Sequence, residues 1–283
     1  MFVRYLLCSV LVCGCSKQVQ SGPPKERAPV ELVDAFFQAV KAGDEAQLRE
    51  LVREDYVQHS SLVGDGLGGL LDALPLLRGF EVTTHRVLVD GDRVMLHQTY
   101  RAPDQQPLVA MDVFRIEAGQ LAEHWDAFQE EVPVSQTVSG RGMTDGPTEV
   151  EAGDSSSNRI LVEEFVEVVL TQGHFDRLAE FVSTEQYDQH NPGVGDGLEG
   201  LGELAAGLQE AGLSFGYTAS PLVVAQGNFV MVGSEGVFGP SEHPGFALFY
   251  DLWRVENGKI VEHWDVVPPA PEPAALPHSN GFF

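Results

Sequence analysis

The body of this 283-residue chain lacks cysteine, because Cys8, Cys13 and Cys15 all lie within the first fifteen residues. This excludes a disulfide, a thiol nucleophile or a thiolate metal site from the body. Basic residues are also scarce, with 17 Lys and Arg against 42 Asp and Glu and a net charge of -25. Such a field repels phosphate backbones and anionic head groups, so no nucleic acid is expected as a partner.

The start of the chain has the pattern of a secretory signal. Arg4 precedes an apolar run from Tyr5 to Val12, which is shorter than the roughly 20 apolar residues of a membrane-spanning helix. The small residues before Cys15 resemble a bacterial lipobox, which implies cleavage before Cys15 and lipidation of it; an ordinary cleaved signal peptide is the alternative. We expect a lipoprotein-type signal peptide over 1–14 and a tether over 15–28. This predicts a protein lipid-anchored in the bacterial cell envelope, on the periplasmic or extracellular face, that touches the membrane through the anchor only.

The rest of the chain is a tandem duplication. The segment "YVQHSSLVGDGLGGL" matches "YDQHNPGVGDGLEGL", and "MDVFRIEAGQLAEHWD" matches "YDLWRVENGKIVEHWD". A period of about 130 residues is far longer than that of solenoid repeats, so each copy should be a domain with its own core. We predict domain 1 over 29–133, a linker over 134–157, domain 2 over 158–268 and a C-terminal tail over 269–283. The two aromatic residues that end the tail are expected to dock on the body.

Each copy has the pattern of an α+β fold. Apolar residues at helical spacing predict three helices at the start of each copy, before any strand. Alternating runs around Asp90-Gly91 and Asn257-Gly258 then predict β-hairpins. We therefore expect helices packed on one face of a curved, mainly antiparallel sheet in each copy.

The repeated hairpin carries acids beside aromatic residues. A regular two-residue hairpin pairs Asp112 with Trp125 and Phe114 with Glu123, and places His124, Asp126 and Arg115 on the opposite face. Acids among apolar side chains have raised pKa values, which suits general acid or base chemistry. The alternative is a structural role, in which Asp112 and Asp251 accept hydrogen bonds from the paired indoles.

These motifs resemble the SnoaL-like branch of the nuclear transport factor 2-like superfamily. The resemblance rests on "QHNP" and "DG" before the third helix, and on "GKIVEHWD". More narrowly, both copies resemble proteins described as SnoaL-like aldol-condensation-catalysing enzymes. The resemblance implies two tandem cone-shaped α+β domains, each with an apolar pocket between sheet and helices, in which related cyclases close rings by proton transfer without a cofactor. Those cyclases carry an acid four residues after the Trp, where this chain has Gln129 and Pro268.

Candidate site residues follow from the repeat. A catalytic acid must then be Asp112, Glu123, Asp126 or a counterpart in the second copy, and an imidazole is well suited to proton transfer near neutral pH. His97 has Gly233 at its place in the second copy, so a pair of His97 and Asp112 would favour the first copy, whereas the "QHNP" loop would favour the second. The candidate catalytic residues are His59, His97, Asp112, Glu123, His190, Asp251 and Glu262. The candidate ligand-binding residues are Tyr56, Phe114, Trp125, Tyr187, Trp253 and Trp264.

Two further motifs concern a cofactor and a metal ion. The strings "GDGLGG" and "GDGLEG" fit a dinucleotide pattern, but a polar loop rather than a strand precedes each. No cofactor is expected. A metal site from His59, His97, His124 and Asp126 would need His97 and His124 on one face, and no metal is predicted.

Together these patterns predict a cofactor-independent acid/base enzyme acting on a small apolar carbonyl compound, by aldol-type condensation, isomerisation or hydrolysis. The alternative is a non-catalytic binding protein for a small apolar ligand or a partner protein, since a fold does not fix a function. Because single-copy relatives often pair through their sheets, a monomer with its two domains paired within the chain is also expected.

Overall fold

A computed structural model describes residues 27–269 and 273–283. The predicted signal peptide and Cys15 lie outside the described residues. Among the described helices, none combines the length and apolar character needed to cross a membrane.

The first copy begins with two helices that pack on the sheet. Helix α1 (Pro29–Ala42) buries one apolar stripe and ends at Gly43, whose φ of 68° reverses the chain. Helix α2 (Glu45–Leu51) follows at once, and α3 (Gly66–Leu77) comes after the first strand. The five strands are β1 (Val52–Gln58), β2 (Glu81–Asp90), β3 (Arg93–Arg101), β4 (Leu108–Glu117) and β5 (Gln120–Glu130).

The second copy repeats this order. Helix α4 (Ser155–Phe165) continues into a π-helical turn over Val166–Thr171, and the short α5 (Leu178–Phe181) follows a 3-10 turn over Phe175–Arg177. Helix α6 (Gly197–Glu210) corresponds to α3. The strands are β6 (Asp188–Gln189), β7 (Leu213–Gln226), β8 (Phe229–Pro240), β9 (Gly245–Glu256) and β10 (Lys259–Val266).

Both sheets have the same topology, with strand orders β1-β5-β4-β3-β2 and β6-β10-β9-β8-β7. The predicted α+β class is confirmed, and each described sheet is open rather than closed into a barrel. The prediction of three helices before any strand is wrong, because β1 forms directly after α2 and pairs in parallel with β5. Only two short stretches of β1 pair with β5. The sequence of β1 lacks the strong alternation of apolar and polar residues that would predict a long strand.

The predicted hairpin turns form, but the register beyond them differs from the prediction. Ala118 and Gly119 both have positive φ, as do Asn257 and Gly258, which fits a two-residue turn. A bulge then inserts one extra residue into β5 and into β10. As a result Asp112 faces Asp126 and Phe114 faces His124. A one-residue slip moves every following side chain to the other face, so the predicted face assignment is wrong from Ala122 onward.

The two sheets pack against each other through the faces that point away from their helices. This contact forms a third apolar cluster beside the two domain cores, with members from both copies, including Met95, Met111, Trp125, Met231, Tyr250 and Trp264. Apolar side chains from the inner faces of both sheets meet there, as they do between the two sheets of a sandwich. The packing pairs the two domains within one chain.

Two extended segments cross between the copies. The segment 139–147, which follows the first copy, lies on the second, where Gly142 O accepts a hydrogen bond from His190 Nδ1 at 2.7 Å. Residues 278–281 of the tail, which follows the second copy, lie on the first, where Gly281 O is 3.3 Å from His59 Nδ1. Phe282 is buried and stacks on Phe246. Docking of the terminal aromatic residues is thus confirmed.

Candidate functional site

Each domain contains a cavity between its sheet and its helices. Cavity one has a volume of about 660 Å³ and is lined by residues of the first copy, among them Phe36, Tyr56, Tyr100, Asp112, His124 and Asp126. Cavity two measures about 1050 Å³ and is lined by residues of the second copy, among them Tyr187, Tyr217, Asp251, Trp253, His263 and Asp265. The walls of both are mainly apolar, so a few polar groups stand out against them.

A chain of hydrogen bonds crosses the floor of cavity one. Tyr100 donates its hydroxyl proton to Asp112 Oδ2 at 3.1 Å, and Asp112 Oδ1 lies 3.2 Å from His124 Nε2. On its other side, His124 Nδ1 lies 3.0 Å from Gln58 Oε1. Asp112 lies on β4 and His124 lies on the adjacent strand β5, and both side chains point to the cavity face. Gln58 is the last residue of β1.

Two hydrogen-bond acceptors flank the ring of His124. Gln58 Oε1 accepts the backbone N–H groups of His59 and Ser60, each at 2.9 Å, which identifies that atom as the amide oxygen. Both ring nitrogens of His124 therefore face acceptors, an amide oxygen and the carboxylate of Asp112. A proton on each nitrogen would satisfy both acceptors and pair an imidazolium at His124 with the carboxylate of Asp112. The ring of His124 stacks on Phe114 at 4.4 Å, where an aromatic face favours a cation.

Asp126 lies beside this ion pair and opens partly to the cavity. Burial raises the pKa of Asp126 from 3.8 to about 6, and the charge of Asp112 adds to the shift while that of His124 opposes it. A carboxyl group with this pKa exchanges its proton readily near neutral pH. Tyr56 completes the polar set: its hydroxyl has no partner among the described residues, and burial keeps its pKa well above 10.

Cavity two repeats the arrangement at shorter distances. His263 Nε2 lies 3.0 Å from Asp251 Oδ1, and His263 Nδ1 lies 2.9 Å from Gln189 Oε1, which also accepts the backbone N–H of Asn191. Burial disfavours a charged His263, but the hydrogen bond to Asp251 and the charges of Asp265 and Asp251 raise its pKa above 6.5. Both ring nitrogens of His263 thus face acceptors, and its surroundings favour the imidazolium form.

The second acid of cavity two is Asp265. Burial raises its pKa from 3.8 to about 6. Asn191 donates to Asp265 Oδ2 at 2.6 Å, whereas Oδ1 has no partner among the described residues. The hydroxyl of Tyr187 accepts a bond from Gln189 at 3.2 Å, which leaves its own proton free to donate.

The tyrosine that bonds to the central aspartate comes from different strands in the two copies. Tyr100 lies on β3, and Gly236 occupies the corresponding position of β8. Tyr217 of β7, paired opposite Gly236, supplies the hydroxyl instead and donates to Asp251 Oδ2 at 2.8 Å. A Cβ at Gly236 would lie 2.4 Å from Gly216 O, so the backbone there accepts no side chain. Both copies therefore have a tyrosine–aspartate hydrogen bond, although the tyrosine lies on a different strand in each.

Four predicted catalytic residues lie on the other face of the sheets, remote from the cavities. His59 bonds to Glu123 at 3.0 Å and His190 bonds to Glu262 at 2.9 Å. Glu123 and Glu262 are each bonded to an arginine as well, Arg115 and Arg254, and despite their burial these bonds lower both glutamate pKa values. The bulge is the reason: it turns the glutamates away from the cavity face and brings His124 and His263 onto it.

His97 is likewise absent from the cavity wall. It is fully buried between the domains, and its Nδ1 accepts a bond from Arg86 at 3.0 Å. Burial and the Arg86 charge lower its pKa well below 6.5. Arg86 also donates to the backbone oxygens of Thr144, Asp145 and Pro147, and thereby holds the linker on the sheet. The predicted partnership of His97 with Asp112 is therefore wrong, since adjacent strands present them on opposite faces.

Of the predicted ligand-binding residues, four line the cavities: Tyr56 and Phe114 in the first, Tyr187 and Trp253 in the second. The other two, Trp125 and Trp264, belong to the cluster between the sheets. Their indoles stack on His59 at 5.1 Å and on His190 at 4.7 Å. The predicted bonds from these indoles to Asp112 and Asp251 do not form; Trp264 donates to the linker oxygen of Asp145 instead.

The same residues include the side-chain types that bind metal ions. Asp112, His124 and Asp126 offer ligand atoms within 4.8 Å of one another, as do Asp251, His263 and Asp265. A metal needs a ring nitrogen with a free lone pair. Both nitrogens of each histidine face acceptors, so the groups fit a hydrogen-bonded ion pair better than a metal site.

Two repeated sequence motifs contain the cavity residues Gln58, His124 and Asp126 and their counterparts in the second copy. Gln58 and Gln189 both occur in a repeated "YxQH", and His124 with Asp126 occurs in the repeated "EHWD". These repeats mark the polar chain in both copies. The face on which each side chain lies depended on a bulge that leaves no residue pattern of its own.

The family is identified by sequence. The model of the SnoaL-like domain matches residues 33–124 and 162–263, which together make up more than half of the chain. The chain belongs to the SnoaL-like domain family. Each match spans one of the two domains, so this SnoaL-like protein carries the unit twice.

Solved structures with similar folds include IdmH, a proposed polyketide cyclase from Streptomyces antibioticus, with 20% identity, coverage of 36% of this chain and 93% of that one, and a TM-score of 0.32. A proposed polyketide cyclase from Bacillus cereus has 20% identity, coverage of 36% and 74%, and a TM-score of 0.33. A proposed ketosteroid isomerase from Kribbella flavida has 19% identity, coverage of 36% and 78%, and a TM-score of 0.33. A comparison with curated protein sequences finds no match.

Proposed function

We propose that each cavity catalyses proton transfer on a small apolar carbonyl compound without a cofactor, in an aldol-type condensation, an isomerisation or a hydrolysis. The observation that carries the proposal is an acid with a pKa of about 6, Asp126 or Asp265, on an apolar cavity wall beside a fixed imidazolium ion. A pKa near the working pH suits a group that must both take and return a proton.

The proposed step begins with the ionised carboxylate of Asp126, which removes a proton from the carbon next to the carbonyl. The C–H electron pair becomes part of a C=C bond, and the carbonyl oxygen gains negative charge as an enolate. The hydroxyl of Tyr56, which has no partner among the described residues, is the donor available to that oxygen. Proton return from Asp126 to a different atom would complete an isomerisation, and attack of the enolate on a second carbonyl would give an aldol product.

His124 would act through its charge rather than by moving a proton. Both of its N–H groups are already committed to Gln58 and Asp112. A fixed cation in an apolar wall favours the enolate over the neutral ketone, because little solvent reorganises as the charge develops. Asp112 and Tyr100 hold that cation in place and are positioning residues in this scheme.

The test measures exchange of the methyl protons of acetophenone for deuterium, by proton NMR in D₂O with the purified protein. We expect catalysed exchange, and a fall of about 100-fold or more in Asp126→Asn/Asp265→Asn. Asp92→Asn, an exposed hairpin-turn acid, is the matched control and should retain the wild-type rate. Exchange at the buffer rate in the wild type, or undiminished exchange in the double variant, would refute the proposal.

A second candidate function is binding without chemistry. It is favoured by the bond from Asn191 to Asp265, which occupies one oxygen of the second acid in cavity two. Native mass spectrometry distinguishes the two: a retained apolar ligand together with no acetophenone exchange would favour a binding protein.

The expected location and assembly are also proposals. The lipobox-like segment before Cys15 supports attachment to the bacterial cell envelope through lipid alone, and Cys15→Ala should abolish labelling by radioactive palmitate in the bacterial host. The sheet faces through which the domains pair are covered within the chain, which supports a monomer. Light scattering after size exclusion should give the mass of one chain.

A further inference from the structure

We propose that cavity two accepts a bulkier apolar ketone than cavity one, with a body of several fused rings. This rests on the proposed function only for the carbonyl end of the molecule. The size of the accepted body follows from the shape and lining of the two cavities and can be tested by binding alone.

The volumes differ although the polar floors match. Cavity one holds about 660 Å³ and cavity two about 1050 Å³. The aspartate, histidine and second aspartate occur at equivalent positions in both. The additional space in cavity two therefore serves the part of a ligand that is remote from the acid.

The third helix of each domain explains much of the difference. In α3, Leu67, Leu70 and Leu74 are buried against the first domain. In α6, all of whose residues the structure describes, Gly200 alone is buried. Leu201, Leu204 and Leu208 of α6 face cavity two and are only partly covered. Partly covered leucines along a cavity wall leave apolar area for a ligand to cover.

One position near the acid carries a smaller side chain in cavity two. Phe128 lines cavity one at the position where Val267 lines cavity two. Gly236 replaces Tyr100, since Tyr217 supplies the hydroxyl from the neighbouring strand. The exchange of Phe128 for Val267 removes one aromatic ring, whereas Tyr217 returns to cavity two the ring that Gly236 lacks.

The second sheet extends the cavity toward its mouth. Strands β7, β8 and β9 have 14, 12 and 12 residues, against 10, 9 and 10 for β2, β3 and β4. Phe238 and Phe246 line the mouth and are 48% and 37% exposed, although one face of Phe246 already stacks on Phe282. Exposed aromatic side chains beside a cavity are typical of ligand-contact surface. An apolar body that reaches the mouth would cover them.

The ligand class follows from this arrangement. The acids and the histidine that line cavity two gather on the floor, at Asp251, His263 and Asp265, while leucines and phenylalanines form much of the side wall and mouth. A molecule with one carbonyl end and a large rigid apolar body satisfies both regions. A rigid body also loses less conformational entropy on binding than a flexible chain.

The experiment compares two probes on the full-length mature protein: acetophenone, which has one ring, and 1-acetylpyrene, which has four. Calorimetry and pyrene emission give stoichiometry and Kd. We expect two acetophenone molecules but one 1-acetylpyrene molecule per chain. Leu208 and Leu77 hold corresponding positions near the ends of α6 and α3, and each lines its own cavity. Leu208→Trp should weaken 1-acetylpyrene binding at least tenfold, and Leu77→Trp should leave it unchanged.

Three results would overturn the inference: two equal 1-acetylpyrene sites per chain, loss of binding in Leu77→Trp but not in Leu208→Trp, or acetophenone binding without any 1-acetylpyrene binding. Thermal unfolding of both variants checks that each still folds. Failure of the proposed function is separate. If one 1-acetylpyrene binds in cavity two but acetophenone exchange is absent, proton transfer fails and the size difference stands.

Discussion

The two domains hold their central aspartates with tyrosines that lie on different strands. In the first, Tyr100 on β3 holds Asp112; in the second, Tyr217 on β7 holds Asp251 from the neighbouring strand, with Gly236 where the first tyrosine would be. The surrounding volumes, helix packing and rim residues diverge, but the chain from tyrosine through aspartate and histidine to glutamine remains. A bond that persists while its donor changes strand indicates that the bond itself is needed. The differences around it are the basis of our proposal that the two cavities accept molecules of different size.

The largest expected effect comes from breaking the ion pair in either copy. Asp112→Asn and Asp251→Asn each leave a buried imidazolium without its counter-ion, and removal of one partner from such a pair costs about 3–5 kcal/mol. Urea denaturation would measure the loss. Equal losses in both domains would show that the shared chain stabilises both alike, whereas losses below 1 kcal/mol would contradict the charged histidines.

Gly236→Ala tests the difference between the domains at one position. The added Cβ would lie 2.4 Å from Gly216 O, a backbone atom, so we expect a loss of about 3 kcal/mol in the second domain. Gly207→Ala in α6 is the control, because no atom lies within 4 Å of its added Cβ and helix propensity should stabilise it by about 0.5–1 kcal/mol. Thermal unfolding distinguishes them; a neutral Gly236→Ala would mean that the strands can part at no cost.

The tyrosine hydroxyl that donates to the central aspartate can be removed from each domain in turn. Tyr100→Phe and Tyr217→Phe delete one hydrogen bond to a charged group, worth about 2 kcal/mol, while keeping the ring. We expect both variants to lose similar stability and, because the histidine cation is then less firmly held, to slow acetophenone exchange. A large loss for one tyrosine and none for the other would break the equivalence of the two copies.

The two acids should give the protein one common pH dependence. With a pKa of about 6, Asp126 and Asp265 are mostly protonated at pH 5, so exchange should fall about tenfold from pH 7 to pH 5. Since the unfolded chain loses these protons near pH 4, the free energy of unfolding should also fall as the pH rises from about 4 to 6. Asp126→Asn/Asp265→Asn should remove that slope; its survival would assign it to other groups.

The smallest effects are expected where the crossing segments hold the domains. Asn280 donates to Asp65 at 2.7 Å, and Arg141 occupies the corresponding place beside Asp196 at 3.1 Å. Both contacts are exposed, so Asn280→Ala and Arg141→Ala should each cost about 1 kcal/mol or less. Hydrogen exchange of the backbone next to His59 and His190 would detect local opening of each segment. Equal opening at both sites in either variant would show that the segments do not act separately.

The sequence by itself determined the architecture. Two matched copies, helical apolar spacing and the two hairpin turns specified two α+β domains, and the absence of cysteine removed thiol and disulfide chemistry from the body. The repeated "EHWD" and "YxQH" strings also identified the segments that supply the polar chain. These features are local, since they follow from the 3.6 and 2 periodicities of helix and strand and from the conformations that Gly and Asn adopt.

The tertiary structure alone decided which face each residue occupies and which residues meet. One bulge in β5 and one in β10 brought His124 and Asp126, and their counterparts, to the cavity, and turned Glu123 and Trp125 toward the other domain. Tyr100 and Tyr217 reach equivalent aspartates from different strands, which no alignment of the two copies reveals. His59 and His190 became contacts for the crossing segments. A bulge has no residue signature, and contacts between distant segments depend on how the whole sheet twists and packs.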